Sequence, residues 1–281
     1  MLRPISFEGL DETLPILSRG FPAMRAAQWT AALARLRRSA ASSTAACAAY
    51  LLEEKGRHVG VMLAIPSPRS DGDAAPRIVN LSSWYVDPEQ RWRAPRMLQS
   101  IAACAATLYT DLTPSPSVRT MISRLGFQNW TEGTLIFPLP AFAIRTAGAS
   151  RVVPLHALSP DAFADPVRRI MDDHAALDCV VGGLWDGAAL RPLIFSRKVH
   201  RGVPVARLIF ADDRAAVFAH IPAISRFLLR ERFALLAING NRRERIAGSI
   251  FTKRAAPTFY KGPTPPAPCD FTYSEFVFLQ V

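Results

Sequence analysis

Hydrophobic positions along this 281-residue chain change period several times, and those changes mark its elements. Residues 4–7 read as a short strand leading to Asp11 and Glu12, which are placed to cap a helix over 14–17. Residues 26–36 carry Trp29, Leu33 and Leu36 at helical spacing. Residues 48–52 and 59–65 read as a hairpin turning at Glu54-Lys55-Gly56-Arg57, and the Pro- and Gly-containing stretch 66–76 predicts a loop. Residues 78–86 have the β-branched, aromatic and aliphatic content of a strand. Asp87-Pro88-Glu89 stops it, and Gln90-Arg91-Trp92-Arg93-Ala94 brings two cations to the start of a helix whose first turn suits Pro95. Another strand runs through Tyr109-Thr110-Asp111, and a second helix ends at Leu125-Gly126-Phe127. Residues 128–139 predict two strands around Glu132-Gly133 that close this unit, with 138–150 as a linker.

The second half repeats the order of elements without repeating the residues. Strands are expected at 152–155, 179–185, 190–195, 203–210 and 233–238, and helices at 165–177 and 215–230. The fold class read from this pattern is mixed α+β: two similar units, each with a mostly antiparallel sheet flanked by helices, at 1–140 and 150–281.

The turn after residue 86 is the most informative place. Backbone N–H groups and the positive end of a helix dipole meet there beside Arg91, Arg93 and Arg96, which makes an anion site. Trp84-Tyr85-Val86-Asp87-Pro88-Glu89, the basic turn 90–96 and Leu125-Gly126-Phe127 together resemble the GNAT N-acetyltransferase family over residues 3–140. In that family the strand ends in hydrophobic-Val-x-Pro-Glu, and an Arg/Gln-x-x-Gly-x-Gly/Ala turn holds the coenzyme A pyrophosphate. The resemblance implies that Val86, Gln90, Arg91, Trp92, Arg93, Ala94, Arg96 and Ser115 contact acetyl-CoA or another acyl-CoA. It also implies that amides near Tyr85 and Val86 polarise the thioester carbonyl, as in an oxyanion hole.

Two departures stand out. The turn glycines are replaced around Trp92, Arg93 and Ala94, and the tyrosine that many members use to protonate the leaving thiolate is Ile122 here. Tyr85 and Tyr109 are the substitutes for that acid, each also explained as a core aromatic. Asp87 and Asp111 are the candidate bases. A turn role explains the first, and a capping role before Pro114 explains the second. The corresponding turn of the second half, Ala211-Asp212-Asp213-Arg214, carries two carboxylates that repel pyrophosphate, so that copy is expected to be degenerate.

Composition narrows the classes further. The chain is 49% hydrophobic with a formal net charge of +11, nearly all from dispersed arginine. Such a charge attracts polyanions, including nucleotide cofactors and tRNA, although no zinc-finger, RNA-recognition or P-loop pattern accompanies it. No apolar run is long enough to span a bilayer, and the first residues lack a signal core, so the expected location is the cytoplasm. Cys47, Cys104, Cys179 and Cys269 form no C-x-x-C pair. Cys47 and Cys104 lie in Ala-rich surroundings that predict buried, inert thiols. The five histidines show no metal spacing and read as satisfied structural or surface residues, His174 after Asp172-Asp173 also being a hint of an acceptor-side site, and no metal is expected. The function expected is acyl transfer from coenzyme A to a small-molecule or peptide amine, or to a hydroxyl. The alternatives are a transferase of similar tandem fold that takes aminoacyl-tRNA, and a non-catalytic binding protein.

Overall fold

The computed structural model describes residues 1–39, 47–68, 77–253 and 256–280, so the loop expected over 66–76 lies outside it from 69 to 76. The chain forms two units. The first comprises 1–130, 258–266 and 273–279, and the second takes nearly all the rest.

The first unit begins with strand β1 (Leu2–Ile5) and helices α1 (Leu14–Gly20) and α2 (Ala26–Arg38). α2 buries Trp29, Ala32, Leu33 and Leu36, the stripe that its spacing predicts. Strands β2 (Ala49–Glu54), β3 (Arg57–Pro66) and β4 (Arg77–Val86) follow as an antiparallel series. Helix α3 (Ala94–Ile101), β5 (Thr107–Asp111), α4 (Pro116–Arg124) and β6 (Gln128–Thr131) complete the amino-terminal part. Met97, Leu98 and Ile101 of α3 and Ile122 of α4 pack on Val79, Leu81 and Tyr109. Gly126, at φ +88°, ends α4 in the left-handed conformation that glycine tolerates, which returns Phe127 to that core.

β4 is irregular where the sequence puts its signature. Between Val61↔Tyr85 and Leu63↔Ser82 the register shifts, so two residues of β4 face one of β3, and Ser83 takes a φ of +52°. β5 pairs in parallel with β4 only from Arg77↔Thr107 to Leu81↔Asp111, while β4 runs on to Val86. The two strands therefore part company beyond Leu81.

The second unit contains β7 (Gly133–Pro138), α5 (Leu139–Ala143), β8 (Arg151–Pro154), α6 (Asp165–Ala176) and β9 (Val180–Trp185). It continues through β10 (Leu190–His200), β11 (Val203–Ala211), α7 (Arg214–Ala219), α8 (Ile221–Arg230), β12 (Leu235–Gly240) and β13 (Ile250–Thr252). Its core joins Leu135, Phe137, Phe195, Leu208, Ile224, Leu228 and Leu236. The single helix expected over 215–230 is two, because Pro222 offers no N–H and its ring clashes with the carbonyl one turn earlier. The linker expected over 138–150 includes α5, whose Leu139 and Phe142 are buried in that core.

The last strands are exchanged. The chain returns to the first unit as β14 (Thr258–Lys261), which pairs antiparallel with β5. The first sheet runs β1-β2-β3-β4-β5-β14-β6 and the second β8-β9-β10-β11-β12-β7-β13. The two orders match position by position, with β14 and β7 each in the other half's place. β7, expected to close the first unit, belongs instead to the second sheet, where its Leu135 and Phe137 enter the core. A short helix α9 (Glu275–Phe278), wholly buried, completes the first unit. Among the described residues no helix is long and apolar enough to cross a membrane.

Candidate active site

A cavity of about 390 Å³ opens beside the part of β4 that β5 does not cover. Its walls are Gly20 and Phe21 at the end of α1, Trp84, Tyr85 and Val86 of β4, Arg91 and Ala94 of the basic turn, and Ser115, Ser117, Val118 and Met121 at the start of α4. Tyr85, Val86, Arg91, Ala94 and Ser115 were all singled out in the sequence, and here they meet.

The turn forms without glycine. Pro88–Arg93 is 3₁₀-helical and runs directly into α3, and none of Trp92, Arg93 and Ala94 has a positive φ. Their side chains add bulk rather than strain. Trp92 is 71% exposed, so its bulk is directed at solvent. Arg91 and Arg96 are exposed cations. Arg93 donates to Glu54 at 2.8 Å, which already engages its charge. Trp84 Nε1, in a residue of the cavity wall, is buried and has no hydrogen-bond partner among the described residues. A buried polar atom of that kind costs about 1–3 kcal/mol unless something satisfies it.

Tyr85 is the phenol in the cavity. Its ring lies against Gly20 and meets Phe21 edge-on at 6.3 Å. Burial first, and then the hydrogen bond with Asp87, hold its pKa above the ordinary value. It therefore stays protonated at neutral pH and has a proton to give. Asp87 is held by Arg19, whose Nε and Nη2 each donate at 3.0 Å, while the same guanidinium donates to the His58 carbonyl at 2.9 Å. That paired carboxylate fixes the end of β4 to α1.

Tyr109 is 5% exposed among Met97, Ile122 and Phe259, away from this cavity. Asp111 ends β5, half-buried, and its carboxyl is held well above the usual range by burial and then by the charge of Glu275. Glu275, 1% exposed, is fastened by three residues: it accepts from Ser82 of β4 and, at 3.1 Å, from Thr113 after β5, and its N–H donates to Asn80 of β4 at 2.9 Å. The carboxylate thus spans the point where β4 and β5 separate. No expectation covered Glu275, although one acidic residue inside Phe271-Thr272-Tyr273-Ser274-Glu275-Phe276-Val277-Phe278 is a visible anomaly. Gly20, Phe21, Val118 and Met121 were also not anticipated.

The burial expected of Cys104 and the acceptor-side hint at His174 are not borne out. His174 is fully buried with Nδ1 2.7 Å from the Ile170 carbonyl, a core position rather than an acceptor site. Cys104 is exposed, not buried, because α3 ends before it. In the second unit Asp213 caps α7 by accepting from Ala216 at 3.0 Å. No group of three or more metal-binding side chains lies together among the described residues.

No family model matches the sequence, and no curated protein does. Solved structures do. A GCN5-related N-acetyltransferase from Anabaena variabilis ATCC 29413 superposes with a TM-score of 0.60 at 11% identity, over 92% of this chain and 72% of that one. A conserved protein of Enterococcus faecalis V583, called a probable N-acyltransferase, gives 0.57 at 9% identity over 92% and 72%. A GCN5-related N-acetyltransferase from Kribbella flavida gives 0.51 at 11% identity over 92% and 70%. With two seven-stranded mixed sheets flanked by helices, this chain has the fold of the GCN5-related N-acetyltransferases.

Proposed function

We propose that the first unit binds an acyl-CoA and transfers its acyl group to an amine of a small molecule or peptide. The convergence of Tyr85, Val86, Arg91, Ala94 and Ser115 on one cavity carries this reading. Arg91 and Arg96, at the start of α3, supply positive charge and a helix N-terminus for the pyrophosphate. Bound acyl-CoA supplies an activated carbonyl and a thiolate leaving group. Amides of the bulged segment near Tyr85 and Val86 stabilise the oxyanion that forms as the amine attacks. The Tyr85 hydroxyl gives its proton to sulfur as the C–S bond breaks. Asp111, at the end of β5 where its pairing with β4 stops, is the base this reading assigns to the proton released by the amine. Ile122, buried in the core, takes no part.

The test is calorimetric titration of acetyl-CoA into the full chain and Arg91→Ala. Saturable binding weakened about tenfold in the variant, with unchanged circular dichroism, supports the assignment. Equal affinity in both removes Arg91 from it. The net charge of +11 favours a second reading, in which the donor is aminoacyl-tRNA. Steep salt dependence of tRNA binding, together with no acetyl-CoA binding, would select that donor.

A further inference from the structure

We infer that Trp92 is a stacking platform for the purine of the acyl donor, a role that rests on the acyl-CoA reading above. Trp92 stands in the turn whose glycines are replaced in this chain, and 71% of it is exposed. It gains little there from packing, so burial does not explain it. One face of the indole is already covered: the Arg93 guanidinium lies 4.9 Å from the ring centroid. Arg93 is itself pinned by Glu54 at 2.8 Å, so the indole is backed by a fixed cation. The remaining face is open.

Its position relative to the cavity identifies what would use that face. Arg91, the residue before Trp92, lines the cavity mouth. Trp92 is the next residue of the basic turn, so a ligand that meets Arg91 with its pyrophosphate and continues along that turn would reach the indole. An exposed aromatic flanked by the exposed cations Arg91 and Arg96 combines a stacking surface with charges for phosphate, the pairing that nucleotide recognition requires. A bare peptide or fatty chain would match the apolar face but not the cations. The donor's adenine, carrying a phosphate on its ribose, matches both.

Three ligands separate the contributions: acetyl-CoA, 4′-phosphopantetheine (which lacks the nucleoside) and adenosine 3′,5′-bisphosphate (which lacks the arm). Calorimetry on the full chain should give about tenfold weaker acetyl-CoA binding for Trp92→Ala and near-parental binding for Trp92→Phe. Phosphopantetheine affinity should be unchanged in both variants. Adenosine 3′,5′-bisphosphate should quench an indole emission that Trp92→Phe lacks. Equal acetyl-CoA affinity of parent and Trp92→Ala overturns the platform. Equal losses for acetyl-CoA and phosphopantetheine also overturn it, by making Trp92 a brace of the turn. Binding of the bisphosphate through Trp92 without binding of phosphopantetheine or acetyl-CoA would keep the platform and refute the acyl-CoA reading. Binding of none of the three refutes both.

Discussion

Gly20→Ala should convert a permissive contact into a clash that acts directly on the candidate acid. A β-carbon at Gly20 would lie 2.8 Å from both Cδ1 and Cδ2 of Tyr85, and nearer still to Cγ. Carbon atoms rest about 3.5–4.0 Å apart, so the ring or the end of α1 must retreat by about 1 Å. The ring is not free to swing, because Phe21 stands against it and its hydroxyl is bonded to Asp87. Overpacking of this kind costs about 1–3 kcal/mol. Alanine in place of glycine within a helix returns about 0.5–1 kcal/mol, which leaves a net loss of up to about 2.5 kcal/mol. The informative experiment is a double-mutant cycle with Tyr85→Ala, followed by urea unfolding. With the ring removed, Gly20→Ala should stabilise by about 0.5–1 kcal/mol, so the change of sign measures the contact. If Gly20→Ala is no less stable than the parent and the coupling stays within about 0.5 kcal/mol of zero, the account of this wall is wrong. The substitution should also lower acyl transfer more than it lowers acetyl-CoA affinity, because it moves the acid and leaves the basic turn alone.

Other outcomes are equally specific. Tyr85→Phe should reduce turnover about a hundredfold with acetyl-CoA affinity retained, and single-turnover rates that match the parent would exclude it as the acid. Asp111 has a folded pKa above its ordinary 3.8, so its ionised form costs stability, increasingly as pH rises through the interval between those two values. Asp111→Asn should therefore be more stable than the parent near neutral pH and should lose that advantage below about pH 4, as urea titrations at several pH values would reveal. Arg214 donates to Glu244 at 2.8 Å, to the Asn239 carbonyl at 2.8 Å and to Cys269 Sγ at 3.0 Å. Arg214→Met strands those acceptors and should destabilise the second unit by about 2–4 kcal/mol, and a change below about 0.5 kcal/mol would show the network to be ornamental.

How much of this was legible depended on whether the signal was local. The strand at 78–86, the Asp87-Pro88 stop, the basic turn and Leu125-Gly126-Phe127 each carry their cause within a few residues, and each became the element expected. The parting of β4 from β5 was not stated in advance, because it depends on where a second strand stops. What escaped was decided by distant partners. Nothing within Thr258-Phe259-Tyr260-Lys261 says that its neighbour is β5, since a four-residue strand has no periodicity to read and its register is set by Tyr109, Thr110 and Asp111. β7 was seen as a strand but given to the wrong sheet for the same reason. Tyr109 and Tyr85 looked interchangeable in sequence, and only the cavity distinguished the phenol that faces it from the one packed in the core. Glu275 is the clearest case: an isolated carboxylate among aromatics announces that something compensates it, but Ser82 and Thr113 lie far away along the chain.

The exchange of β7 and β14 bears on how the protein is made. A ribosome releases residues 1–131 with β5 and β6 facing a gap that only residues 258–261 can fill. The early half therefore waits, with two unpaired strand edges, while the whole second half is synthesised. Open edges of that kind invite pairing with other chains, and joining Asp111 to Phe259 closes a loop across most of the sequence. Folding should thus be slow and late, limited by the return of the last strands rather than by either half's own helices. Two units that look independent in architecture mature as a single event.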